Sequence, residues 1–195
     1  GAIANDIHGK NHHVAGTFGR HVLRFELLRS DGQRLVCSPS AHPELFAATI
    51  GGLGLTGLIT WAEVQLKLVP GPYIAMQAVK FGSLDAYFDA AAEWDGRYEY
   101  TASWVDCLAS GRSLGRGIML CGNHAWQPHI PGRTAEPAAG PTVPFDLPNA
   151  LLNPLSMRAF NTLYYHRQVA PVVHRTLPFD PFFFPLDAIG DWNRL

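Results

Sequence analysis

Charge is scarce in this sequence. Only 16% of its 195 residues are Asp, Glu, Lys or Arg, and the formal net charge is −1. A nucleic-acid surface needs a basic stripe to neutralise phosphates, so that class is excluded. Cysteine is scarce too: Cys37, Cys107 and Cys121 are odd in number, widely spaced and without a CxxC pair. That pattern argues against a disulfide scaffold and for free, mostly buried thiols. No apolar run approaches the roughly 20 residues of a transmembrane helix. The opening residues also lack the basic leader and apolar core of a signal peptide. What the chain does have is apolar content, 47%, enough for a real core in one large or two small domains.

The most telling stretch is the first: Gly1-Ala2-Ile3-Ala4-Asn5-Asp6-Ile7-His8-Gly9-Lys10-Asn11-His12-His13. Small residues lead into a polar run, which suits backbone pressed against a bulky anionic cofactor. His8 and His12 stand four apart, as zinc ligands on one helical face do. Gly9, however, disfavours a helix there, and no Glu follows His8. Three readings stay open from the residues: a metal site, ordinary loop hydrogen bonds, and a cofactor-facing wall. The last is favoured, and no metal is assigned.

The pattern along the chain is that of an α+β protein. Arg20 to Leu28 and Gln33 to Cys37 read as strands joined by an Asp31-Gly32 turn, and a helix follows from Pro43 to Ile50. Gly51 to Gly57 comes next, then a β-rich stretch from Thr60 to Val69 and a linker, Pro70-Gly71-Pro72. The glycines are not a dinucleotide fingerprint, because here a helix enters them and a strand leaves. A tight, backbone-only surface for a flat ring or ribityl chain, with Gly54, Thr56 and Gly57, stands beside a plain helix-to-strand turn.

Residues 73–195 read as a second α+β unit. Strands are expected at Ile74 to Phe81, Tyr98 to Cys107 and Gly117 to Cys121, with a helix from Ser83 through Trp94. An irregular proline-rich loop, 126–148, is expected next, then a helix from Asn149 or Ser156 to about Gln168, interrupted near Pro154. The run Phe182 to Phe184 reads as core rather than a cofactor box, with an exposed apolar mouth for a lipid-like substrate left open. Cys37, Cys107 and Ser103 have no partner at a spacing that would make a nucleophile.

GAIANDIHGKNHH, TFGRHV and ELFAATIGGLGLTGLIT together resemble FAD-linked oxidases of the vanillyl-alcohol oxidase type. ASWVDCLASGRSLGRG and FFFPLDAIGDWNRL fit the branch of that family that oxidises a lipid-linked pentose. The resemblance implies that residues 1–72 are the C-terminal part of a PCMH-type FAD-binding domain. Residues 73–195 would be part of a substrate or cap domain with an antiparallel sheet. It implies that Gly1, Asn5, Asp6, Ile7 and His8 line FAD, largely through backbone, and that Ile59 does so through main chain. Lys10 would orient the substrate and His8 would fix the flavin or tune its surroundings. Asn5 stands where some relatives have a cysteine. The implied partners are a sugar or polyprenyl-phosphate sugar, a reductase subunit, and a membrane met peripherally through the proline-rich loop. Either a cytoplasmic or a cell-envelope setting is expected. Two other expectations stay open: a polyol or aldonolactone oxidase, and a catalytically silent piece that only binds or scaffolds. Residue 1 already lies inside a motif, so a fragment lacking both ends is expected.

Overall fold

A computed structural model describes residues 1–126, 140–143, 145, 146, 148, 150, 152–187, 189–191 and 194. The chain divides into two compact units, Gly1–Leu68 and Val69–Leu195. Both are α+β and both sheets are antiparallel.

In the first unit a short helix, α1 (His12–Ala15), and a 3-10 turn (Phe18–His21) precede strand β1 (Val22–Leu28). β1 is the middle of three strands, between β2 (Arg34–Cys37) and β3 (Leu58–Val64). Gly32, at φ +85°, closes the β1–β2 turn, and its N–H donates to the carbonyl of Arg29 at 3.0 Å. Helix α2 (Pro43–Thr49) starts on a proline, whose missing N–H would have had no partner in a first turn. It covers one face of the sheet, where Phe46 stacks on Phe25 with centroids 5.2 Å apart. Val22, Leu27 and Cys37 complete that core. The expected strand Thr60 to Val69 is shorter in the structure and ends at Val64. Gln65 gives its N–H to His21 at 2.7 Å, and the chain then leaves the ladder.

The second unit is a four-stranded sheet in the order β5 (Tyr100–Val105), β6 (Gly117–Ala125), β4 (Tyr73–Phe81), β7 (Val172–Pro178). Helix α3 (Leu84–Trp94), capped by the Ser83 hydroxyl accepting from Ala86 N–H, covers one face. There Val79, Phe81, Met119 and Cys121 form the core. The other face carries Ile74 and Tyr100, packed on Phe182 of α5 (Phe179–Phe183). The phenylalanine run therefore contributes core through Phe182, while Phe184 is exposed.

Helix α4 (Pro154–His166) corrects the sequence reading. Pro154 does not interrupt the helix; it is the first helical residue. Asn153 Oδ1 accepts from the N–H of Leu155 and of Ser156, and Ser156 Oγ accepts from Asn153 N–H. This reciprocal cap fixes the start, and a proline costs nothing there. Asn149 and most of the proline-rich loop, 127–139 above all, lie outside the described residues. β7 was not foreseen: His174, Arg175 and Thr176 break any apolar alternation, yet they pair with Gln77, Met76 and Ala75. Among the described residues no helix is long and apolar enough to cross a membrane.

Candidate functional site

Small residues let the opening segment coil tightly. The carbonyls of Gly1, Ala2 and Ile3 accept from the N–H groups of Asn5, Ile7 and Asp6 at 3.0, 3.2 and 3.0 Å. The Asn5 side chain adds a bond to the Gly1 carbonyl at 2.9 Å. As at any helical start, the first N–H groups are left over. Those of Ala2, Ile3 and Ala4 have no acceptor among the described residues.

This turn is stitched to the glycine segment. Gly51 N–H donates to the Ile3 carbonyl at 3.1 Å and Leu53 N–H to the Ala4 carbonyl at 2.8 Å. Asp6, at φ +44°, turns its carboxylate to Gly19 N–H at 2.7 Å, which holds the 3-10 turn in place. Between them lies a cleft of about 430 Å³. One wall is the Gly1 to Ala4 segment, and the others come from Gly54, Gly57, Phe18, Ile59 and Val64. Gly54 has φ +79°, and a Cβ there would meet nothing within 4 Å, so its place in the wall is open. Unpaired N–H donors beside flat apolar walls fit an anionic group joined to a planar ring. The donor set therefore suits FAD.

The candidates named from sequence fall in different places. Gly1, Gly54, Gly57 and Ile59 meet in the cleft. Asn5 and Asp6 build the turn with their side chains. The Thr56 hydroxyl is bonded to that of Thr49 at 2.9 Å, and Thr49 in turn donates to the Leu45 carbonyl. Ile7 and His8 line a second hollow, of about 290 Å³, with Asn11 and His21. The His8 ring meets His12 edge-on at 5.3 Å. Lys10 lines neither hollow; it is half-buried, and desolvation lowers its ammonium pKa. Phe18, Thr49 and Val64 were missed, because only the fold brings them beside Gly1. Among the described residues no cluster of three His, Cys, Asp or Glu side chains gathers to hold a metal.

The second unit has its own cavity, of about 610 Å³, on the sheet face that carries Met76, Ala78, Trp104 and Leu120. Tyr164 closes on Trp104 with ring centroids 4.6 Å apart, and the Arg167 guanidinium lies 3.8 Å over the Tyr164 ring. Gln168 donates to the Ala78 carbonyl at 3.0 Å. Arg167 and Arg175 border an otherwise apolar lining, which suits an amphiphile bearing negative charge. A buried clamp holds α4 over this face. Asp106 accepts from Asn161 at 2.8 Å and from Arg116 at 2.9 Å, and Arg116 reaches Thr162. Burial alone would raise the Asp106 carboxyl, but Asn161, Arg116 and the Leu108 N–H outweigh it and hold the pKa below the usual carboxylate value. The Cys121 thiol is pushed up to about 12, by burial first and Asp95 second.

No family model matches the chain. Matches to individual curated proteins support the FAD-linked oxidase superfamily, as its motifs led us to expect. In particular, it is similar to decaprenylphosphoryl-beta-D-ribose oxidase of Mycolicibacterium smegmatis, with 34% identity over 100% of this chain and 44% of that protein. It is 38% identical, over 91% of its length and 49% of the relative's, to an uncharacterized protein in the mprA 5' region of Streptomyces coelicolor. A shorter match, 38% over 70 residues, is to a putative D-arabinono-1,4-lactone oxidase of Neurospora crassa, covering 36% of this chain and 12% of that protein. The chain thus spans just under half the length of the first two relatives.

Proposed function

We propose that the protein carrying this chain is an FAD-dependent oxidoreductase that converts a CH–OH group of a sugar or lipid-linked sugar to a carbonyl. The observation that supports this best is the cleft where unpaired N–H groups of Ala2, Ile3 and Ala4 meet the Gly54 wall. When bound, FAD would supply the redox chemistry as acceptor of the carbon-bound hydride, while a base takes the hydroxyl proton. Gly1, the Asn5 to His8 run, Gly54, Thr56, Gly57 and Ile59 would hold it, mainly through backbone and apolar contact. The Asn5 and Asp6 side chains act indirectly, by keeping the turn in shape.

Lys10 orients the substrate as a hydrogen-bond donor, and His8 fixes the flavin edge. A half-buried ammonium suits this, since desolvation strengthens each bond it makes. Taken by itself, the second unit's cavity, with the Trp104 and Tyr164 rings in its lining and Arg167 and Arg175 at its border, suits an amphiphile that carries a phosphate. That chemistry favours a polyprenyl-phosphate pentose, the kind of compound named in the Mycolicibacterium relative. The lactone oxidase match favours a second reading, a polyol or aldonolactone substrate on the same framework.

Anaerobic mixing of the full-length protein with each substrate class separates these. A polyprenyl-phosphate pentose should bleach the flavin band at about 450 nm, and arabinitol or an aldonolactone should leave it. Bleaching by the polyol or lactone alone would establish the second reading. A colourless protein that takes up no added FAD would leave only a binding or scaffolding role.

A further inference from the structure

Helix α4 is anchored on one side and leaves an apolar face exposed on the other. Its inward side joins the Tyr164 ring, packed on Trp104, to polar contacts: Asn161 is buried on Asp106, and Tyr165 donates to the Phe81 carbonyl at 3.2 Å. Its outward side is apolar. Leu155, Ala159 and Leu163 recur every four residues and share one face. Leu155 is 79% exposed and Leu163 73%. Phe160 on the flank and Leu152 just before the helix extend the stripe, both exposed. The capping box and the inward hydrogen bonds fix the helix's rotation, so the stripe cannot turn inward without breaking them.

The charge carried by the helix and its flanking sequence is one-sided. Between Asp146 and Asp180 the sequence has no carboxylate side chain, although the whole chain carries a net −1. The same stretch holds Arg158 on the helix and Arg167 just past its end, both exposed. An apolar stripe bordered by cations and cleared of anions is complementary to lipid with anionic headgroups.

We infer that α4 is a membrane-surface helix, which lies in the interface of a bilayer containing anionic lipid with Leu155, Phe160 and Leu163 toward the acyl chains. Arg158 and Arg167 then meet the headgroups. α4 also supplies Tyr164 to the wall of the Trp104 cavity, so a lipid-borne molecule has a short route into it. The inference goes beyond the redox reading and does not depend on it, because vesicle binding requires no turnover.

Co-sedimentation of the full-length protein with phosphatidylcholine vesicles, with or without about one-third phosphatidylglycerol, tests it. Binding should be at least about tenfold stronger on the anionic vesicles and should weaken at high salt. The double variant Leu155→Gln/Leu163→Gln should lose about tenfold or more of that binding, with unfolding temperature and flavin content unchanged. Arg158→Glu should lose less. Equal binding by wild type and the double variant would overturn the inference, as would equal binding to neutral vesicles. No binding to any vesicle would show that protein covers the stripe. Self-association abolished by the double variant would assign the face to a second copy instead.

Discussion

The two units bury apolar surface differently. In the first, a three-stranded sheet has its core on one face, and Leu53, Leu55, Leu58, Leu66 and Leu68 stay exposed around β3. In the second, a four-stranded sheet is covered on both faces, and a buried Asp106–Arg116–Asn161 clamp ties a helix to it. The candidate sites differ in the same way. The first unit offers backbone: unpaired N–H groups and glycines around a cleft. The second offers side chains gathered from β5, α4 and β7. A backbone site suits a cofactor bound in one form, and a side-chain site is where substrate preference can be set.

Breaking the clamp should have the largest effect on the second unit. Asp106→Asn leaves the Arg116 charge without its carboxylate, and we expect about 3 kcal/mol of lost stability in denaturant unfolding, with flavin binding affected only indirectly. The pH dependence has a definite sign. The folded pKa of Asp106 is depressed, so its contribution is complete above the unfolded value of about 3.9 and is lost as pH falls from there through the lower folded value. In Asp106→Asn that acid limb should flatten.

Lys10→Ala should come next, with turnover reduced about a hundredfold and bound flavin retained. Burial lowers the Lys10 pKa from 10.5, so activity that needs the ammonium should be lost as pH rises through a value lower than 10.5. Lys10→Arg should move that limb upward. Unchanged turnover in Lys10→Ala would remove the residue from the site. Trp104→Ala should raise KM about tenfold for a lipid-linked substrate while leaving flavin content and the Asp106 clamp intact. A change in flavin content there would contradict the division of labour. The smallest effect concerns thiols: Cys107 is exposed, whereas burial raises the pKa of both Cys37 and Cys121. In the native protein a thiol reagent should label one cysteine quickly and the other two only after unfolding.

Elements with local signals were legible in the sequence. Asp31-Gly32 marked the β1–β2 turn, Pro43 the start of α2, and Ser83 the start of α3. The opening block and the glycine segment were each read as lining a cofactor, but the two backbone bonds that join them were not foreseen. What escaped was set by distant partners. β7 owes its existence to pairing with β4, which lies about a hundred positions earlier, and its polar residues hide the strand pattern. Pro154 read as a breaker because its effect depends on whether a cap precedes it, and Asn153 provides one. The Trp104 cavity was invisible because Trp104, Tyr164 and Arg175 have no common spacing.

The sharpest test of the contrast compares two glycines with the same backbone demand. Gly54 and Gly32 have φ +79° and +85°, and a Cβ at either would meet nothing within 4 Å. Only Gly54 lines the cleft. Gly54→Val and Gly32→Val should therefore cost similar strain, about 1–2 kcal/mol or somewhat more for a branched side chain. The flavin-to-protein absorbance ratio of the two purified full-length variants is the measurement. A backbone cradle at Gly54 predicts flavin lost from Gly54→Val and kept in Gly32→Val. Equal flavin in both variants would contradict it.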